Sequence, residues 1–178
     1  MTVDDINKLI RKFVRETLAM PDNSVRKANQ TAPTGPQDEQ FATVLITVID
    51  ATGEDDRRLA NEAAPSLNVS ETLIGQRRLV ASIQFFRGDA YTKACRLNTL
   101  LSMSSCVDKL QAIGLGLVRA SPARNLTGVI DAGWEDRAQI DLEFHLVAKE
   151  VQSVPTYGTF PISVTTESST TSSEVTAP

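Results

Sequence analysis

The sequence predicts an α+β fold: a single mixed or antiparallel β-sheet with helices packed on one face, a long C-terminal strand and a disordered C-terminal tail. The first observation is the order of the elements that the hydrophobic periods predict: a helix, a strand, a shorter strand, a strand, a helix and two strands. A helix therefore connects two strands of the sheet. The second is the alternation of apolar and polar residues from Arg137 to Lys149, typical of a half-buried strand. The third is the Ser/Thr-rich stretch after Val151, which has little to bury. The 178 residues therefore divide into an α+β domain at 1–153 and a flexible tail at 154–178.

The N-terminal residues 3–19 have the pattern of an amphipathic helix. Asp4 and Asp5 fall in its first turn, where carboxylates favour the helix dipole. Its apolar residues recur at three- and four-residue spacings: Ile6, Leu9, Ile10, Phe13 and Leu18. Pro21 ends the helix. The segment 21–40 that follows has three prolines and no apolar period, which predicts an extended, exposed connection.

The middle of the chain supplies the centre of the predicted sheet. Residues 41–50 are apolar on both faces and rich in β-branched side chains, as in a central strand. We expect a surface loop over the charged stretch 51–66. A strand at 76–87 follows, and a shorter strand at 67–74 is expected to pair with it around Gly75. The core face of the 76–87 strand carries Leu79, Ala81, Ile83 and Phe85.

A second helix is predicted from Ala90 to Ser104, with Asp89 in position to cap it. Its core face carries Ala90, Ala94, Leu97 and Leu101. A helical turn that stops at Gly114, a short strand and a turn-rich segment come next: 107–114, 115–121 and 122–134. These elements lead into the long final strand.

The final strand has a predicted core face and a predicted open face. The core face carries Ala138, Ile140, Leu142, Phe144, Leu146 and Ala148. The open face carries Gln139, Asp141, Glu143, His145 and Lys149, with Val147 the one apolar residue on that side. An open face this long and charged indicates contact with solvent or with a partner.

Composition excludes several classes of function. The net charge of −4 and the pI near 5.1 argue against a general nucleic-acid binder, which needs a basic surface. The sequence contains no run of about 18 apolar residues, so no membrane span is predicted. The N-terminus lacks the apolar core of a signal peptide. We expect a soluble protein made in the cytoplasm. Cys95 and Cys106 are too far apart for a CxxC site, so we expect two free, buried or half-buried thiols.

Residues that could carry chemistry are few. His145 is the only histidine, and no second histidine or nearby cysteine can complete a metal site with Asp141 and Glu143. The GxSxG, GxGxxG and GxxxxGK[ST] motifs are absent. The tripeptide RGD at 87–89 matches a cell-adhesion motif in spelling, but we expect a strand end, a turn and a helix cap there. We therefore predict no catalytic residue, no metal and no cofactor.

Charged pairs and one tryptophan are better candidates for contact with a partner. The basic pairs are Arg26 and Lys27, Arg57 and Arg58, and Arg77 and Arg78. Aromatic residues make up only 5% of the chain, so the pairs lack the stacking platforms of a single-strand nucleic-acid binder. Trp134, at the entrance of the final strand, is either a core residue or an interface anchor, and the core is the favoured alternative.

Three segments together resemble the phage neck and tail terminator proteins. The first is "NSVRKANQTAPTGP" with "FATV", a loop that enters a strand. The second, "RRLVASIQFFRGDAYTKACRLNTLL", is a strand, a turn and an amphipathic helix. The third, "GLGLVRASPARNLTGVIDAGWEDRAQIDLEF", is a short strand, a turn and a long strand. The resemblance covers roughly 3–150.

This resemblance implies a virion structural protein of a long-tailed bacteriophage. Such proteins form a ring, usually a homohexamer, at the head-proximal end of the tail tube. The ring ends tube polymerisation, contacts the tail tube protein and a neck or head-completion protein, and lets genomic DNA pass through its lumen. The implied location is the neck region of the virion tail, with synthesis in the host cytoplasm and no membrane partner.

The resemblance also gives the open face a role in assembly. Asp141 and Glu143 are expected to face a neighbouring subunit or the ring lumen, with the interface slightly favoured. If they lie at the interface, arginines of the next subunit are candidate partners: Arg57, Arg58, Arg77 and Arg78. Arg26, Lys27, Trp134 and Arg137 complete the predicted contact residues. Two alternatives stay open: another head–tail joining or tail tube component, and a small α+β ligand-binding domain or enzyme.

Overall fold

A computed structural model describes the chain over six ranges of residues: 2–29, 40–62, 68–130, 133–155, 159–166 and 169–176. These residues form three helices: α1 (Val3–Leu18), α2 (Ala90–Leu100) and α3 (Ser104–Ala112). They also form ten strands: β1 (Val25–Lys27), β2 (Phe41–Asn61), β3 (Asn68–Phe86), β4 (Gly116–Ala120), β5 (Arg124–Asn125), β6 (Gly128–Ile130), β7 (Gly133–Glu135), β8 (Arg137–Pro155), β9 (Thr159–Thr166) and β10 (Ser169–Thr176).

The chain divides into two compact units. The first consists of 1–54 and 76–148, and the second of 55–75 and 149–178. The first unit holds the helices and the hydrophobic core. In the second unit, the backbone N–H of Glu62 donates to the Asn68 carbonyl at 3.1 Å. The strands β9 and β10 of that unit pair antiparallel.

The main sheet is mixed and mostly antiparallel, in the order β1-β2-β3-β8-β4, with β5 also paired to β8. The strands β1 and β2 run parallel, and β4 and β8 run antiparallel. Arg78 on β3 contacts Glu143 on β8, and Ser82 contacts Gln139. Residue numbers therefore rise along β3 as they fall along β8, so these two strands are antiparallel. The predicted α+β fold, with helices on one face of the sheet, is confirmed.

Helix α1 forms because its sequence supplies both a cap and an apolar stripe. Asp5 N–H donates to the Thr2 hydroxyl at 3.2 Å, and Thr2 N–H donates to the Asp5 carboxylate at 3.0 Å, a capping box. The bonds from the Thr2 backbone and hydroxyl hold the pKa of the Asp5 carboxyl below its usual value. Ala19 ends the helix in the left-handed conformation, with φ of 52°. The predicted helix at 3–19 is therefore confirmed.

The core lies between the helices and one face of the sheet. It includes the predicted strand residues Leu79, Ala81, Ile83, Phe85, Ala138, Ile140, Leu142 and Phe144, all fully buried. The helices contribute Ile6, Ile10, Phe13, Val14, Ala90, Ala94 and Leu97. Buried Asn7 donates from its side chain to the Val44 carbonyl at 3.1 Å, which ties α1 to β2. The period-two prediction is confirmed from Ala138 to Phe144, whereas Leu146 and Ala148, also predicted for the core face, are only half-buried.

Two strands are longer than the sequence predicts. The prediction of a loop over 51–66 is wrong for the residues up to Asn61, because β2 continues through them. The expected break at Gly75 is also wrong, since β3 is continuous and Gly75 is buried within it. Cross-strand pairing explains the extension of β2: Arg57, which is exposed, forms an ion pair with the largely covered Glu71, so charged side chains are accommodated on these strands.

Other boundaries also differ. The segment 21–40 was expected to be without strands, but β1 lies in it, and 30–39 fall outside the described residues. The second helix ends at Leu100 rather than Ser104, and the helical turn near 107–114 begins earlier, as helix α3. Asp89 occupies the N-cap position of α2, but its side chain makes no cap hydrogen bond within the described chain. Gly114, with φ of +77°, follows α3 as predicted.

The C-terminal segment contains a further pair of strands. Residues 159–166 and 169–176 form the β9–β10 hairpin, in which Thr166 pairs with Ser169. The division of the chain at 153 and 154 stays a prediction.

No helix in the described part of the chain has both the length and the apolar character needed to cross a membrane.

Replacement of Phe144 by alanine tests the assignment of the two faces of β8. Phe144 is fully buried, so we expect the free energy of unfolding to fall by about 3–5 kcal/mol in urea titrations. Val147→Ala on the same strand is the control, because Val147 is 64% exposed and its change should be within about 0.5 kcal/mol. Similar losses in both variants would contradict the assignment.

Candidate subunit interface

A row of cationic and aromatic side chains crosses one end of the open face. The rings of Phe41 on β2 and Phe86 on β3 stack, with centroids 4.6 Å apart and planes within 6°. The Arg137 guanidinium lies 4.8 Å from the Phe86 centroid, and that of Arg26 lies 5.9 Å from the Phe41 centroid. Each guanidinium is attracted to the face of its ring. The row therefore links β1, β2, β3 and β8, and it brings together two residues that the sequence predicted separately, Arg26 and Arg137.

Hydrogen bonds connect the polar side chains in the middle of the open face. The Gln139 amide nitrogen donates to the Ser82 hydroxyl and to the Asp141 carboxylate, both at 2.9 Å. The Asp141 backbone N–H donates to the Ser121 hydroxyl at 2.9 Å. Asp141 is half-buried. These hydrogen bonds within the chain fix the position of its carboxylate and its backbone.

Glu143 is the most heavily paired carboxylate of the open face. Arg78 lies 2.7 Å from one of its oxygens and Arg119 lies 3.1 Å from the other. The Glu143 side chain is only 15% exposed, so its charge is compensated where solvent is limited. Arg78, one of the candidate partners from a neighbouring subunit, thus contacts Glu143 within its own chain, and pairing across a subunit boundary stays a prediction. The residues named on this face include four arginines and two carboxylates, so the face is not acidic.

The remaining predicted basic residues also have partners within the chain. Lys27 forms an ion pair with Asp4 at 2.6 Å. Arg57 pairs with Glu71, and Arg58 pairs with Asp56 at 2.7 Å. Arg77 donates to the Gln76 carbonyl at 3.1 Å. At least one side chain of each ion pair is exposed, and an exposed ion pair contributes only about 0–1 kcal/mol to the free energy of unfolding. These basic residues can therefore exchange their partners when another protein binds.

Trp134 is on the surface, so the favoured prediction of a core residue is wrong. Its side chain is 80% exposed on β7, opposite Val129 on β6, which is 62% exposed. The strands β6 and β7 form a separate two-stranded sheet with three residues on each side. Trp134 therefore contributes nothing to the core, and the alternative of an interface anchor stays a prediction.

The base of this hairpin is held firmly although its strands are short. Leu126 N–H donates to the Arg137 carbonyl at 2.8 Å. Arg137 N–H donates to the Thr127 hydroxyl at 3.3 Å, and Arg87 N–H donates to the Asp136 carbonyl at 2.7 Å. The hairpin thus presents Trp134 and Val129 from a fixed base.

Sequence reasoning missed several members of this surface. Val129 lies in a segment expected to be turns, and only an alternating pattern around the glycines could have indicated a hairpin. The stacking of Phe41 on Phe86 was not predicted, although each aromatic residue lies at an end of a predicted strand. Arg119 was missed because nothing local relates it to Glu143, 24 residues away.

Possible metal ligands and free thiols are the remaining candidates for chemistry among the described residues. No group of three or more His, Cys, Asp and Glu side chains among them could hold a metal ion. His145 is exposed on β8. Cys95 is half-buried and Cys106 is buried, both as free thiols, which confirms the prediction for the cysteines. The surface offers side chains suited to contact with another protein, which is the arrangement expected of a structural assembly subunit.

Comparison with known proteins agrees with this class. The family model for the phage neck terminator protein matches residues 4–171. The match covers nearly the whole chain, so the protein belongs to the phage neck terminator protein family. Membership indicates a structural protein of a bacteriophage, located in the neck or tail of the virion and in contact with other head or tail proteins. No curated protein matches the sequence.

Replacement of Glu143 by glutamine tests the ion pairs on the open face. We expect the free energy of unfolding to fall by about 1 kcal/mol at low salt, because both arginines are partly exposed and the pairs are screened. The loss should shrink at 1 M salt, where the Debye length is about 3 Å. Asp108→Asn, on the exposed surface of α3, is the control in the same urea titrations. An equal effect at both positions would contradict a stabilising role for Glu143.

Proposed function

We propose that the protein forms a ring, in the homohexameric form that the resemblance implies, at the head-proximal end of the phage tail tube. The ring ends polymerisation of the tube and joins the tail tube protein to a neck or head-completion protein. Genomic DNA passes through its lumen. The protein is made in the host cytoplasm, acts in the virion neck, and has neither a catalytic role nor a membrane partner.

The observation that carries the proposal is the exposed pair of Trp134 and Val129. An isolated two-stranded hairpin is only marginally stable in water, yet here its base is fixed by the bonds of Leu126 and Arg137. A tryptophan that is 80% exposed leaves a large apolar surface in water. Tryptophan is also enriched among the residues that dominate binding energy at interfaces. A fixed hairpin that presents Trp134 supports a role in subunit contact.

The open face supports the same proposal in a second way. A closed ring needs heterologous contacts, in which one patch of each copy meets a different patch of the next. The row from Arg26 to Arg137 and the ion pairs of Glu143 hold these side chains in place before any partner arrives. Less conformational entropy is then lost when a contact forms. We assign Asp141 and Glu143 to the interface rather than to the lumen.

The remaining predicted contact residues have a related role in this proposal. Lys27, Arg57, Arg58 and Arg77 lie at exposed or half-exposed positions with partners of their own chain. At a subunit boundary they would exchange these partners for carboxylates of the neighbour.

Replacement of Trp134 by alanine separates folding from assembly. Because the side chain is 80% exposed, we expect the free energy of unfolding to change by less than about 0.5 kcal/mol. The association constant should fall about tenfold or more, as for an interface hot spot. The measurement pairs urea unfolding with mass photometry across a concentration series.

Tyr91→Ala is the matched control, since Tyr91 is an exposed aromatic residue on α2. It should leave association unchanged. Unchanged association of the Trp134 variant as well would exclude the hairpin from the subunit contact.

The position of the protein in the particle tests the function itself. Electron microscopy of virions with the protein labelled should find one ring at the head-proximal end of each tail. Tails assembled without the protein should grow beyond their normal length or stay unattached to heads. Many stacked rings along the tail would favour the tube-component alternative. Absence from the particle would favour a ligand-binding domain or an enzyme.

A further inference from the structure

Helix α1 carries a basic stripe on its exposed side, formed by Lys8, Arg11, Lys12 and Arg15. The spacings of three, four and seven residues place all four on one face of the helix. They line one cavity of about 290 Å³, together with Asn23 and Val25 from the segment that follows the helix. None of these four cations belongs to the contact residues discussed above.

The stripe has more positive charge than its own chain compensates. Arg15 pairs with Asp22 at 2.8 Å, and Lys12 and Arg15 share Glu16 at 3.9 and 3.7 Å. Lys8 is also attracted to the Asp5 carboxylate one turn earlier. Four cations thus meet three carboxylates, which leaves an excess of one positive charge. The cavity therefore suits an anionic group supplied from outside.

Charge is distributed unevenly along the chain. Residues 1–29 hold six lysines and arginines against four acidic residues, a net charge of +2. Residues 30–178 hold twelve against eighteen, a net charge of −6. A second copy of the chain thus offers acidic groups in excess, whereas the basic excess lies in the segment that contains the stripe.

The dimensions of the stripe favour a short acidic segment over nucleic acid. From Lys8 to Arg15 the helix rises only about 10 Å. A nucleic-acid binder commonly makes about 6–10 phosphate contacts, and the acidic remainder of this chain would repel the duplex beyond the stripe. Residues i and i+2 of a β-strand are separated by about 6.6 Å along the strand. This distance is close to the rise of about 6 Å along the helix from Lys8 to Lys12. Two carboxylates on one extended segment fit that spacing.

We propose that the basic stripe of α1 is one side of the contact between copies, and that its cavity receives carboxylates of an extended segment of the next copy. This inference rests on the proposed ring and adds a second, electrostatic contact to the Trp134 hairpin. The contact is heterologous, because the stripe and the acidic segment are different patches of the same chain.

The test is a double charge reversal, Lys8→Glu with Lys12→Glu, in the full chain. Both residues are exposed, so the fold should be retained, and thermal melting followed by circular dichroism verifies this. The matched control is Arg96→Glu with Lys109→Glu, which changes the net charge equally at exposed positions on α2 and α3. Mass photometry and sedimentation across concentration and salt measure the association constant of each protein.

We expect association of the stripe variant to be at least about tenfold weaker than that of the control. The difference should shrink as salt rises, because the contact is ionic. If the wild-type protein, the stripe variant and the control all form a ring equally well, this inference is overturned and the proposed ring is retained. A wild-type protein that is monomeric at every concentration would overturn both.

A 30-base-pair DNA duplex serves as the alternative probe. Wild-type protein should bind it no better than the stripe variant does. Binding that the wild type shows and the stripe variant loses, with association between copies unchanged, would overturn the inference in favour of nucleic acid.

Discussion

Burial of one face of the main sheet under the three helices is the constraint on which the other features depend. Because side chains of a strand alternate, burial of Leu142 and Phe144 in the core obliges Asp141 and Glu143 to point to the opposite face of the sheet. Burial of each large apolar side chain is worth about 1.5–3 kcal/mol, far more than any exposed ion pair. The apolar face therefore fixes the register, and the polar face is arranged within it.

That arrangement turns the open face into an ordered surface rather than a set of free charges. Glu143 holds Arg78 and Arg119, while the stacked rings of Phe41 and Phe86 position the guanidinium groups beside them. Partners on neighbouring strands restrict the rotamers of these long side chains, whose ordering otherwise costs up to about 2 kcal/mol each. Side chains ordered in this way lose less conformational entropy when a partner binds.

The sequence predicts the elements whose signal is local and apolar. Helix α1 and the buried face of β8 were predicted correctly because Ile6, Ile10 and Phe144 follow a period that burial imposes. The extension of β2 through Arg57 was missed because an exposed strand with paired charges has no apolar period. The strand β1 was missed because three residues become a strand only through parallel pairing with β2.

The surface was less predictable than the core for a related reason. Glu143 and Arg119 are both visible in the sequence, but their contact depends on how β4 aligns with β8, including a bulge between Leu117 and Arg119. The exposure of Trp134 depends on the separate β6–β7 hairpin, which has no strong local signal. Residue type alone indicated that Trp134 matters for packing or contact, and it could not distinguish the two.

The exposure of Trp134 also gives the molecule an intrinsic optical reporter. Trp134 is the only tryptophan in the chain, so the indole fluorescence comes from a single site on a hairpin outside the core. In a free subunit its emission is that of a water-exposed indole, and quenchers in solution reach it readily. Any event that covers the hairpin shifts the emission to shorter wavelength and reduces quenching, while changes elsewhere leave the spectrum unchanged. The unlabelled protein can therefore report the kinetics of its own docking.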